Sequence, residues 1–303
     1  MDVPVMHNNQ HSTACVITAT LINACDVSKK DMKDIQVVVC GAGASGYSVA
    51  RLLPEFGIPK ENIVTVDSTG VIYDGRWAGM NKYKERIAVV TKKRTLKDVV
   101  KGSDVFIGVS TKDLLTPEML LSMNENPIVF AMSTPEPEIN ADLAKSTRAD
   151  VIIATGRSDY PNQILDTMVF PFFFRGALDV GAKTFNLEMK KAVIESLVRV
   201  ARMEVPDHVK GAYGRPDMVY GRDYLIPTAF DHRLLVEVSY AVARAAHDSG
   251  NSTKPYDNWD NYKKALQERV NEKVKEIKAK VDKAKERFDS VLKFIRSNTI
   301  DMK

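Results

Sequence analysis

The sequence predicts an α/β protein: a doubly wound parallel sheet, then helices of an incomplete second domain and a C-terminal amphipathic helix. Three observations carry this. Short apolar runs alternate with helical stretches, a glycine-rich turn joins the first run to a helix, and beyond about residue 180 only helical periodicity remains.

The first run, 35–40, reads I-Q-V-V-V-C between Asp34 and Gly41, the look of a strand buried on both faces. Similar runs follow at 63–66, 105–109, 128–132 and 151–154. Helical stretches at 44–56, 95–101, 117–123 and 141–146 separate them, which makes the connections crossovers between parallel strands. Ahead of the sheet, 13–25 reads as a helix capped by Ser12 or Thr13. Long helices at 186–203 and 231–249 follow it, joined by the turn-rich stretch 206–227. Pro255 then sets off a last helix over 260–296, whose Val274, Ile277, Val281, Ala284, Phe288, Val291 and Ile295 keep three-four spacing. The expected domains are 1–180 (dinucleotide binding), 181–255 (helical remainder of a second domain) and 256–303 (charged amphipathic helix).

Bulk properties narrow the class. No apolar run is long enough to cross a bilayer, and the polar first residues lack the form of a secretory signal. Cys15, Cys25 and Cys40 form no CxxC pair, so reduced, buried thiols in a cytoplasmic protein are expected. Residues 261–303 carry a net charge of +6, which leaves about −2 on the rest of a chain of formal charge +4. The basic segment is thus a separate element, and neither a nucleic acid nor a membrane is an expected partner. Its apolar stripe predicts a homo-oligomer or a partner helix through 266–295.

Gly41-Ala42-Gly43-Ala44-Ser45-Gly46 follows the first strand and opens the next helix. In that setting G-x-G-x-x-G is the Rossmann-type dinucleotide turn: the first glycine turns the chain, the second admits the pyrophosphate, and the third lets helix and sheet meet closely. Asp67, at the end of the second strand, is placed to take ribose hydroxyls and repel a 2′-phosphate, and Thr69 beside it is neutral. NAD is therefore expected over NADP.

Several segments resemble the malic enzyme family, in its shorter bacterial form. V-P-V-M-H-N-N-Q-H-S-T-A from Val3 is similar to the family's H-D-D-Q-H-G-T-A region. V-D-S-T-G-V-I-Y-D-G-R from Val66, D-V-F-I-G-V-S ending at Ser110, A-T-G-R-S-D-Y-P-N-Q from Ala154 and Y-L-I-P-T-A-F-D-H-R from Tyr224 continue the likeness over about 1–250. The resemblance implies oxidative decarboxylation of malate to pyruvate with NAD(P) and Mg²⁺ or Mn²⁺. It places Ser110 with the glycine turn and Asp67 among the cofactor-binding residues.

The departures from the family pattern fall elsewhere. The family's third metal carboxylate corresponds to Asn9. Its substrate-side asparagine corresponds to Thr134, and its N-N pair to Leu165-Asp166. Its tyrosine, its lysine and a Glu-Asp metal pair belong to a segment preceding the point where this chain starts. Decarboxylation needs a Lewis acid and a general base, so the expectation is a dinucleotide-binding member inactive alone. The alternative is an enzyme, or a subunit of one, that is active when an N-terminal half is supplied. His7 and His11 read as inherited loop residues. Lys112 and Arg157 are cations near strand ends, and Phe172-Phe173-Phe174 reads as packing.

Overall fold

The computed structural model describes residues 3–254 and 256–299. Helix α1 (Asn8–Ser28) is followed by β1 (Val37–Cys40), α2 (Ala44–Leu52), β2 (Ile63–Asp67), β3 (Gly70–Val71) and α3 (Leu96–Val100). Then come β4 (Val105–Gly108), α4 (Pro117–Leu121), β5 (Ile128–Ala131), α5 (Ala141–Thr147) and β6 (Ile152–Thr155). Helices α6 (Phe170–Asp179), α7 (Leu187–Arg202), α8 (Asp207–Ala212), α9 (Arg233–Asp248) and α10 (Trp259–Thr299) complete the chain. The sheet order is β3-β2-β1-β4-β5-β6, parallel except where β3 turns back antiparallel on β2. The order reverses direction between β1 and β4, where doubly wound sheets hold their ligands.

All five runs read as strands are strands, and β1, β4, β5 and β6 are buried at every position. The added β3 is two residues long and ends a tight reversal at Gly70, which holds φ of 108°. α1 begins earlier than its pattern suggests. His7 caps it, its Nδ1 accepting from the Gln10 N–H at 3.2 Å, in place of Ser12 or Thr13. Thr95, Thr116, Asn140 and Asn186 cap α3, α4, α5 and α7 through side-chain oxygens.

α1 is apolar nearly all round because it packs on both α2 and α7. Three of its buried polar residues are satisfied inside, while the Ser12 hydroxyl is buried without a partner. The Thr18 and Thr20 hydroxyls donate to carbonyls one turn back, and Asn23 donates to the Leu225 carbonyl while accepting from Arg202. α6, α7 and α9 form a helical layer. Gly176 allows the closest crossing, since a Cβ there would strike the Ser239 carbonyl and come within 2.8 Å of the Val242 Cβ. Phe173 is wholly buried and, with Phe174, meets Phe185 edge-on, in keeping with the packing role expected of that run. Cys15, Cys25 and Cys40 are free and buried, and burial pushes their thiols up to about 12.

Residues 3–254 form one compact unit, and the segment from Tyr256 onward forms a second. Pro255 lies outside the described residues. On α10, Glu276 pairs with Lys273 and Lys280, while Val274 and Phe288 are exposed. The side chains of Ile277, Val281, Val291 and Ile295 lie outside the described residues. Among the described residues no helix is long and apolar enough to cross a membrane.

Candidate functional site

The parallel strands bring the glycine turn, Ser110 and Thr134 to the same edge of the sheet. Gly41 leaves β1 with φ of 117°, in the left-handed region, and a Cβ there would lie 2.6 Å from the Val109 carbonyl oxygen. Its N–H donates to Val66 at 2.8 Å, while Cys40 accepts from the Val109 N–H at 2.9 Å, so both flanking strands hold the turn. Gly46 lies against the Gly41 carbonyl so closely that any side chain would collide with it. Nothing stands within 4 Å of the place a Gly43 Cβ would take.

Two glycines are thus fixed by crowding, and the middle one borders open space. Beyond it, the N–H groups of Ala44, Ser45 and Gly46 open α2 without partners in the helix, and no acid occupies its first turn. This arrangement fits the pyrophosphate of a dinucleotide. The Ser45 hydroxyl donates to the Asn9 carbonyl at 2.9 Å, which seats the start of α1 beside the turn.

At the end of β2, Asp67 has partners that local sequence does not reveal. Arg76 donates to both of its oxygens, at 2.9 and 2.5 Å, Lys84 donates at 2.7 Å, and the Thr69 N–H donates at 2.9 Å. Arg76 also reaches the Gly70 and Val71 carbonyls, and its side chain is 3% exposed. The cause is the β2–β3 reversal, which folds the following loop back over the strand end. Burial opposes ionisation of Asp67, but these donors prevail and hold its carboxyl at about 2.

Sequence reasoning missed Arg76, Lys84 and also Glu138. The Glu138 carboxylate is fully buried and accepts from the Ser110 N–H at 2.9 Å and the Ser133 N–H at 3.0 Å, bridging the ends of β4 and β5. Burial raises its pKa against the pull of those N–H groups. Room for it comes from Gly108, where a Cβ would fall 2.7 Å from the Glu138 Cγ. A glycine inside an otherwise bulky strand was the available signal.

The positions matching the family's substrate side are partly brought together. Asn8 donates to Asp166, across 158 residues of sequence, and its own Oδ1 is buried without a partner. Asn9 is exposed, and Leu165 is half-buried beside Asp166. Thr134 follows β5 at the turn that Glu138 braces. Arg157 is taken by Asp159, at 2.9 and 2.7 Å, and by the Pro135 carbonyl, while Lys112 is exposed. No group of three metal-ligating His, Cys, Asp or Glu side chains lies together among the described residues. A single amide at Asn9 does not make a cage for a hard divalent cation.

Comparison with known proteins agrees with this geometry. The family model described as "Malic enzyme, NAD binding domain" matches residues 10–207. An NADP-dependent malic enzyme of Halomonas elongata is 49% identical over 84% of this chain and 60% of its own length. An NAD-dependent malic enzyme of Rhizobium meliloti is 42% identical over 86% of this chain and 34% of its own length. The chain therefore spans between a third and about three fifths of these relatives. The crystal structure of Entamoeba histolytica malic enzyme superposes with a TM-score of 0.78 at 29% identity, covering 90% of this chain and 55% of that one.

The Asp67 cluster has a measurable acid signature. With a folded pKa of about 2 against an ordinary 3.8, its stabilisation is complete above pH 3.8 and is lost as pH falls toward 2. Asp67→Asn should lower stability at neutral pH and flatten the acid limb of a urea-midpoint profile across that window. An unchanged limb would show that the cluster adds nothing to stability.

Proposed function

The chain belongs to the malic enzyme family, and we propose that it binds a nicotinamide dinucleotide at the turn from Gly41 to Gly46 without oxidising malate through its own residues. The glycine geometry carries the first half of this reading: crowding at Gly41 and Gly46 and open space at Gly43, in front of the free N–H groups of α2. The N–H groups of Ala44, Ser45 and Gly46 would hold the pyrophosphate. Ser110, on the neighbouring strand end, borders the same edge. The nicotinamide ring, when bound, supplies a hydride acceptor.

The ribose corner sets cofactor choice. Asp67 brings one negative charge, and Arg76 with Lys84 brings two positive ones, so the corner is net cationic. Such a corner accommodates a 2′-phosphate. NADP is therefore held at least as well as NAD, against the preference that Asp67 suggests when considered alone. Relatives of both designations are found among the similar proteins.

Inactivity toward malate rests on Asn9, Thr134 and Leu165, which replace charged or amide groups of the family pattern. The Asn8–Asp166 contact also reverses the acid and amide that the family carries at those two places. One carboxylate is thus retained, which supports a second reading: activity when another polypeptide supplies the base and metal ligands. The exposed Val274 and Phe288, on one heptad stripe of α10, support pairing with a second copy of the helix. Buried, unpaired thiols support a reducing, cytoplasmic setting.

Calorimetric titration should give an NADP affinity equal to or above that for NAD, and Lys84→Gln should weaken NADP by about tenfold while sparing NAD. NAD binding that is clearly tighter in the unaltered protein would overturn this account of the corner. With malate and Mg²⁺ or Mn²⁺, neither the chain nor its Asn9→Asp variant should form NAD(P)H; turnover above a no-enzyme control would contradict the proposal. In sedimentation equilibrium an oligomer should dissociate when Val274 and Phe288 both become Glu, whereas a monomer unaffected by the change would exclude pairing through α10.

A further inference from the structure

Between α1, α2 and α7 lies a cavity of about 360 Å³, open to solvent on one side. Gln10 and His11 line it from α1, Tyr47 and Arg51 from α2, and Lys190 from α7. None of these belongs to the glycine turn, the ribose corner or the substrate-side positions. The cavity thus shares no lining residue with the cofactor edge, although Tyr47 and Arg51 lie about one and two turns beyond Gly43 on the same helix.

Its electrostatics are unbalanced. Lys190 is half-buried, and its ammonium meets no carboxylate or hydrogen-bond acceptor among the described residues. Burial, and then the nearby Arg51, lowers its pKa. Arg51 bonds only the neutral Tyr47 hydroxyl, at 3.3 Å. Glu55 also lines the cavity but makes no ion pair with either cation among the described residues. His11 lies partly buried on the cavity wall and brings a ring N–H that can donate.

Withdrawing an ammonium from water without a counter-charge is costly, and two cations facing one space repel each other. A ligand of opposite charge removes both penalties. The cavity is large enough for a small ligand, and the Lys190, Arg51, His11 and Tyr47 groups converge on it as donors. We propose that this cavity is an anion-binding site, distinct from the dinucleotide site, which takes a small polyanion of carboxylate or phosphate type between Lys190, Arg51 and His11.

The test uses the full chain at low ionic strength with citrate and pyrophosphate as separate probes, each titrated calorimetrically in the presence of saturating NADP. At least one probe should bind, and the tighter of the two identifies carboxylate or phosphate as the preferred chemistry. Lys190→Gln and Arg51→Gln should each weaken that binding about tenfold while leaving the NADP titration unchanged. An independent readout comes from the NMR resonances of the His11 ring, assigned with His11→Gln and followed at fixed pH during each titration; they should shift along the calorimetric binding curve. The proposal fails if neither probe binds with NADP present, if both variants bind as the parent does, or if the His11 resonances do not move.

Discussion

The contact of Gly46 with the Gly41 carbonyl is the constraint on which the cofactor edge depends. It brings the first turn of α2 against the end of β1 at a distance that no side chain permits. The left-handed Gly41 makes the reversal, and hydrogen bonds to the strands on either side lock it at the centre of the sheet. Since the turn cannot relax inward, the free N–H groups of α2 face outward over Gly43. A binding surface is thus produced by backbone packing alone, before any polar side chain contributes.

Charge is arranged around that surface by neutralisation, group by group. At the far edge of the sheet Asp104 is held by Lys30, Gln36 and Asn124, a structural role. At the near edge Glu138 is held by backbone N–H groups, so its charge braces two strand ends and is not offered to a ligand. Asp67 is overcompensated by two cations, which converts an acidic corner into a basic one. Lys190 and Arg51 face one cavity whose carboxylate, Glu55, pairs with neither among the described residues, and for that reason they mark a second site.

Much of the fold was legible because buried parallel strands are written as unbroken apolar runs, and a glycine turn between strand and helix has few other meanings. The parts that were hidden share a different cause. β3 has only two residues, too few for a periodic pattern. α6 begins in Phe-Pro-Phe-Phe-Phe, which shows neither helical nor strand spacing. Arg76 and Lys84 reach Asp67 only after the β2–β3 reversal folds their loop back, and nothing local in sequence joins residues 9 and 17 positions apart. Asn8 and Asp166 meet across 158 residues of sequence. Sequence pattern reports what an element buries; it does not report which distant partner a polar group finds.

In the proposed function the α2 N-terminus and the Arg76–Lys84 corner together form one dinucleotide site. Backbone amide shifts recorded by NMR during an NADP titration test this. Gly43, Ala44, Ser45 and Gly46 should move together with Arg76 and Lys84, along a single binding curve, while the amides of α7 remain in place. Shifts confined to other elements, or a glycine turn that stays unperturbed at saturation, would contradict it.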